Sequence, residues 1–135
     1  MIALRVVAEL CARGDARPPR VLVLEGAPSS GLDVVLAWLP FLRPARRALA
    51  ARLAYGFDAA PAAAGAACVP LVFQFHGARD RTVPLGLGRA VHAALGRPDA
   101  VFVRVPRAGH EDAADHPRLR AKLRLFLKPA AAASP

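Results

Sequence analysis

Val69-Pro70-Leu71-Val72-Phe73-Gln74-Phe75-His76-Gly77-Ala78-Arg79-Asp80-Arg81-Thr82-Val83-Pro84 decides how the rest of the chain is read. Leu71 to Phe75 is a nearly unbroken apolar run of strand length. Such a run suits a strand covered on both faces, as in a parallel sheet. It passes into a loop from His76 to Pro84 that holds a glycine, a carboxylate and a proline.

Two further runs match the first. Val21-Leu22-Val23-Leu24 is apolar without polar alternation and leads into the loop Gly26-Ala27-Pro28-Ser29-Ser30-Gly31. Val101-Phe102-Val103-Arg104-Val105 is a third strand, followed by Pro106-Arg107-Ala108-Gly109-His110-Glu111-Asp112. Between and around them lie helical patterns. Met1 to Arg13 has Ile2, Ala3, Val6, Val7, Leu10 and Cys11 spaced for one face, with Gly14 as its cap. Asp33 to Leu39 is a short helix stopped by Pro40, and Pro44 to Tyr55 another that begins near its proline. Leu87 to Leu95 and Pro117 to Leu127 complete the set. Gly56 to Ala67 is Ala/Gly/Pro-rich and reads as a linker or a shallow cap remnant.

Strands alternating with helices predict an α/β fold: a parallel sheet flanked by helices. Residues 1–128 form the domain portion, with the cap remnant at about 32–67, and 129–135 a disordered tail. Three strands make a poor isolated sheet, and the first element is a helix with no strand before it. A missing N-terminal half, or self-association, is therefore expected.

Composition narrows the function classes. Hydrophobic residues make up 55% of the 135, but many are alanine and only 6% are aromatic, which thins the core. The net charge of +9 raises nucleic acid or an anionic membrane surface as partners. The arginines are scattered, and Arg43, Arg46 and Arg47 have no interleaved aromatics, so nucleic acid is not expected. Association with a membrane surface stays open. No apolar segment is long enough to span a bilayer, and no signal-peptide pattern opens the chain, which leaves the compartment undecided. Cys11 and Cys68 match neither a disulfide framework nor a metal-ligand spacing, and read as buried free thiols.

In parallel sheets, sites gather in loops beyond the carboxyl ends of strands. The second loop offers Asp80 and the third His110. A carboxylate there can fix the tautomer of an imidazole on the neighbouring loop while the other ring nitrogen takes a hydroxyl proton. Asp80 could otherwise be a turn residue pairing with Arg79 and Arg81, and His110 a plain loop histidine. His76 reads as packing at the strand end, and His92 and His116 as solvated. Glu111, Asp112 and Asp115 read as a water-facing run rather than a metal site.

The segment from Val69 to Leu127 resembles the end of an α/β-hydrolase, in which one strand enters H-G-x-x-D-x-x-V-P and a later one G-H. More narrowly, it resembles the branch that contains lysophosphatidylserine lipase and monoacylglycerol-hydrolysing relatives. The matching residues are Val83-Pro84, Leu87-Gly88-Arg89, Gly109-His110, Pro117-Arg118-Leu119 and Phe126-Leu127, with Leu22-Val23-Leu24-Glu25-Gly26-Ala27-Pro28-Ser29-Ser30 similar to the strand that enters the cap. The resemblance implies a serine hydrolase acting on carboxylic esters, lipid or acylglycerol esters foremost. It makes Asp80 the triad acid and His110 the base, and implies no cofactor or metal. Trp38, Leu39, Phe41 and Leu42 would then wall an acyl pocket, or else merely pack short helices together.

The departure is the nucleophile. No G-x-S-x-G occurs, and the only serines are Ser29, Ser30 and Ser134. Ser29 and Ser30 suit chain order, but Pro28 and the lack of upstream strands to supply oxyanion donors disfavour them. The expected function is a hydrolase domain represented by its C-terminal portion, inactive alone; the alternative is a non-catalytic scaffold or binding module.

Overall fold

The structure, a computed structural model, describes residues 2–14, 17, 19–52 and 58–128. Its elements run α1 (Ile2–Ala12), β1 (Val21–Glu25), α2 (Gly31–Trp38), a 3-10 helix (Pro40–Ala45), α3 (Arg46–Arg52), α4 (Ala59–Gly65), β2 (Leu71–Gly77), α5 (Leu85–Ala94), β3 (Val101–Val105) and α6 (Pro117–Leu127). The fold is α/β. All three strands pair in parallel in the order β1-β2-β3, with Val21 opposite Leu71 and Phe73 opposite Val101.

Alternation along the strands sorts the core into two layers. Leu22, Leu24 and Val72 join Leu4 and Val7 of α1, Ala59, Ala62 and Ala63 of α4, and Val91 of α5. On the other face Phe73, Phe75, Val103 and Val105 pack with Leu119, Leu123 and Phe126 of α6. That side is only partly covered. Val23 and Leu71, side by side near the β1 edge, are each 42% exposed.

In α1, Leu4, Val7, Ala8 and Cys11 form the inward face at helical spacing, whereas Val6, expected on it, is 47% exposed. Gly14 takes φ +65 after the last turn, as a helix cap requires.

The largest correction concerns Gly56 to Ala67, which is not a linker over its described residues. Asp58 caps α4 by accepting from the Ala60 amide at 3.0 Å. Ala59, Ala62, Ala63 and Ala66 are then buried. Small side chains let α4 press against α1: a β-carbon on Gly65 would lie 2.9 Å from that of Ala8. The same closeness joins Cys11 to Cys68 in a disulfide, so neither is a free thiol. The partners lie 57 positions apart and meet only because α1 packs on α4.

Smaller differences follow from proline and burial. Pro40 and Pro44 hold the chain in a 3-10 helix before α3 begins at Arg46, later than expected; the expected end at Tyr55 lies outside the described residues. The expected tail, 129–135, lies outside them too. His92 and His116 are half-buried rather than solvated, with the His92 ring 5.2 Å from that of Phe102. No described helix is long and apolar enough to cross a membrane.

Candidate active site

The site forms where β2 and β3 end. Gly77 closes β2, and the loop from β3 crosses directly over it. A β-carbon on Gly77 would fall 2.0 Å from the Gly109 carbonyl oxygen, so only glycine fits. The loops are joined by hydrogen bonds from the Ala78 amide to the Val105 carbonyl at 2.9 Å and from the Arg79 amide to the Ala108 carbonyl at 2.8 Å.

Asp80 turns back into this junction. Its Oδ1 accepts from the amides of Thr82 at 2.9 Å and Val83 at 2.7 Å, the turn chemistry that aspartate favours. Its Oδ2 lies 2.8 Å from His110 Nδ1. The Asp80 side chain is 1% exposed and that of His110 37%. An ionised carboxylate can only accept, so the shared proton belongs on Nδ1. Nε2 then carries a lone pair and has no hydrogen-bond partner among the described residues.

Beneath the pair lies Gly26, whose amide donates to the Phe75 carbonyl at 3.1 Å. A β-carbon there would sit 3.2 Å from His110 Cε1 and 3.6 Å from Asp80 Oδ2. Gly26 has φ +50, which glycine adopts without strain. The imidazole therefore reaches from the β3 loop across the end of β2 to the end of β1.

His76 is completely buried at the end of β2, as its place in the sequence suggested. Its Nε2 donates to the Val83 carbonyl at 2.8 Å and lies 3.4 Å from Asp80 Oδ2. Its Nδ1 has no partner and faces Gly88 of α5, where a β-carbon would come within 2.2 Å. His76 thus braces the turn that holds Asp80. The signal for this role was the pairing of a histidine with a glycine one helix later, which the sequence alone does not interpret.

The remaining site candidates divide. Trp38 donates through Nε1 to the carbonyls of Thr82 at 3.1 Å and Arg81 at 3.3 Å, tying the end of α2 to the Asp80 loop. Leu39 and Phe41 are 41% and 73% exposed, and Leu42 is half-buried. A cavity of about 300 Å³ is walled by Asp33, Leu36, Ala37, Arg43, Arg46 and Leu87.

Both nearby serines are occupied. Ser30 caps α2, its Oγ accepting from the Asp33 amide at 3.0 Å. Ser29 Oγ donates to Asp33 Oδ2 at 2.8 Å, and Arg46 donates to Oδ1 at 2.6 Å. Burial works to raise the Asp33 carboxyl, but the hydrogen bonds from Arg46, Ser29 and Ser30 together hold it below its ordinary value. Glu111, Asp112 and Asp115 are exposed, and no metal-binding cluster occurs among the described residues.

No protein-family model matches this chain, and no curated protein matches it in sequence.

Proposed function

We propose that this chain supplies the acid and the base of an α/β-hydrolase site that cleaves carboxylic esters, lipid or acylglycerol esters foremost, with a serine nucleophile contributed from outside these 135 residues. The observation that carries the reading is the 2.8 Å contact between buried Asp80 and His110, with no partner for Nε2 among the described residues. In the reaction His110 Nε2 takes the proton of the attacking serine hydroxyl, and the serine oxygen bonds to the acyl carbon. Asp80 orients the ring and stabilises the imidazolium. The same proton passes to the departing alkoxide as the ester C–O bond breaks, and water then releases the acyl group by the same route. The exposed Trp38, Leu39 and Phe41 form an apolar patch beside the Asp80 loop that suits an acyl chain.

The non-catalytic scaffold remains the second reading, favoured by the tie-up of Ser29 and Ser30 in the α2 cap. Two measurements on the chain itself bear on the choice. Ring ¹⁵N shifts of His110 at neutral pH should report the Nδ1–H tautomer, and Asp80→Asn should shift the proton to Nε2, because an amide can donate to Nδ1. An Nε2–H tautomer in the unaltered chain would overturn the acid–base assignment. A fluorophosphonate probe should leave the chain unlabelled; labelling abolished by Ser29→Ala or Ser30→Ala would place the nucleophile within it.

A further inference from the structure

On the outer side of the third strand, between the open edge of the sheet and α6, positive side chains gather from two elements. Arg107 comes from the loop after β3, and Arg118 and Lys122 from α6; Arg104 adds only its main chain, because its side chain leaves the face opposite Val103 and Val105. They line two adjoining hollows of about 180 Å³ and 320 Å³, which share Pro106, His116 and Arg118. No carboxylate stands in either wall.

Unpaired arginines are common on this surface, so exposure alone says little. The arrangement says more. Arg13, Arg46, Arg97 and Arg120 pair with Glu9, Asp33, Asp99 and Asp115, whereas Arg107, Arg118 and Lys122 have no ion-pair partner among the described residues. Arg118 and Lys122 are one turn apart on one helix, where like charges repel and weaken it. Arg107 adopts φ +64, a conformation that costs a non-glycine residue free energy and that recurs at binding sites. The like charges of Arg118 and Lys122 are unfavourable to the empty fold, and a multiply charged anion would offset their repulsion.

The outer edge adds a neutral donor. The Val105 carbonyl accepts from Ala78 on the β2 side, so the main-chain groups of Arg104 face outward, where no described strand pairs with them. We propose that this groove binds a phosphate monoester. Such a dianion has three oxygens to share among guanidinium forks, an ammonium group and an amide. The walls contain proline, valine and leucine but no phenylalanine, tyrosine or tryptophan, and His116 is the one ring in them, which sets the site apart from the aromatic platforms that bind single-stranded nucleic acid. The ester is either a free metabolite or a lipid headgroup. The site stands whether or not the chain serves a hydrolase.

The test is titration of the ¹⁵N-labelled chain with glycerol 3-phosphate, with sodium chloride at matched ionic strength as the control. Alongside it, flotation with phosphatidylcholine vesicles with and without phosphatidic acid distinguishes a free ester from a headgroup. Saturable amide shifts confined to Arg104, Arg107, His116 and Arg118, or flotation that requires phosphatidic acid, are expected. Either should be weakened about tenfold or more by Arg118→Gln with Lys122→Gln, and left unchanged by Arg47→Gln. The three substituted residues are exposed, so melting curves should confirm that the variants fold. The proposal is overturned by shifts that do not saturate, by shifts that sodium chloride reproduces, or by equal weakening in Arg47→Gln. Absence of binding in both arms overturns it as well.

Discussion

A β-carbon at Gly77 would lie 2.0 Å from the carbonyl oxygen of Gly109 and 2.6 Å from that of Ala108, both main-chain atoms of the loop that carries His110. Neither can move without moving His110. Gly77→Ala should therefore destabilise the chain by about 1–3 kcal/mol, as overpacking does, and displace the imidazole from Asp80. Gly86 in α5 is the contrast, with nothing within 4 Å of an added β-carbon. Gly86→Ala should stabilise by up to about 0.5–1 kcal/mol through helix propensity. Thermal melts of the two variants check both signs, and equal effects would contradict the close packing at Gly77. Asp80 and His110 were legible in the sequence as a pair because each follows an apolar strand run and a glycine. The brace formed by His76 was not, since it depends on the distance between β2 and α5.

Legibility at the level of elements follows the same division between local pattern and long-range contact. β3 and α6 match their expected bounds, Val101–Val105 and Pro117–Leu127, because β-branched density and apolar periodicity mark them locally. α4 was hidden because its alanines carry no amphipathic contrast, and only packing against α1 selects the helix. The Cys11–Cys68 disulfide was hidden for the same reason. It closes a loop whose ends are 57 positions apart, so its removal should cost about 2–5 kcal/mol. Reductant should lower the melting temperature of the chain yet leave that of Cys11→Ser with Cys68→Ser unchanged; no response in the unaltered chain would contradict the bond.

α5 brings a pH dependence. Burial holds the His92 imidazole below its ordinary value of 6.5, so the unfolded chain takes up that proton more readily than the folded one. The contribution of His92 to stability is thus complete above about pH 6.5 and lost as pH falls toward the depressed folded value. Chemical denaturation from about pH 7 to 5 should show a shallower decline in His92→Gln than in the unaltered chain. Identical slopes would contradict the burial of His92 against Phe102.

Across the whole molecule, the decisive feature is asymmetry between the two sides of the sheet. α1, α4 and α5 cover one face, whereas α6 covers the other only over β2 and β3 and leaves Val23 and Leu71 exposed near the outer edge of β1, with which no described strand pairs. An open parallel edge with apolar neighbours invites a further strand. The His110 ring lies against Gly26, at the end of that same strand. Under the proposed function, one added polypeptide would therefore both cover the apolar surface and bring a serine to Nε2. The measurement that tests this most directly is fluorophosphonate labelling of the chain co-purified with the polypeptide encoded immediately upstream of Met1. The account predicts a labelled serine on that polypeptide, with labelling that requires this chain and is abolished by His110→Ala and strongly reduced by Asp80→Asn. Failure to label any serine, or labelling indifferent to His110→Ala, would contradict it.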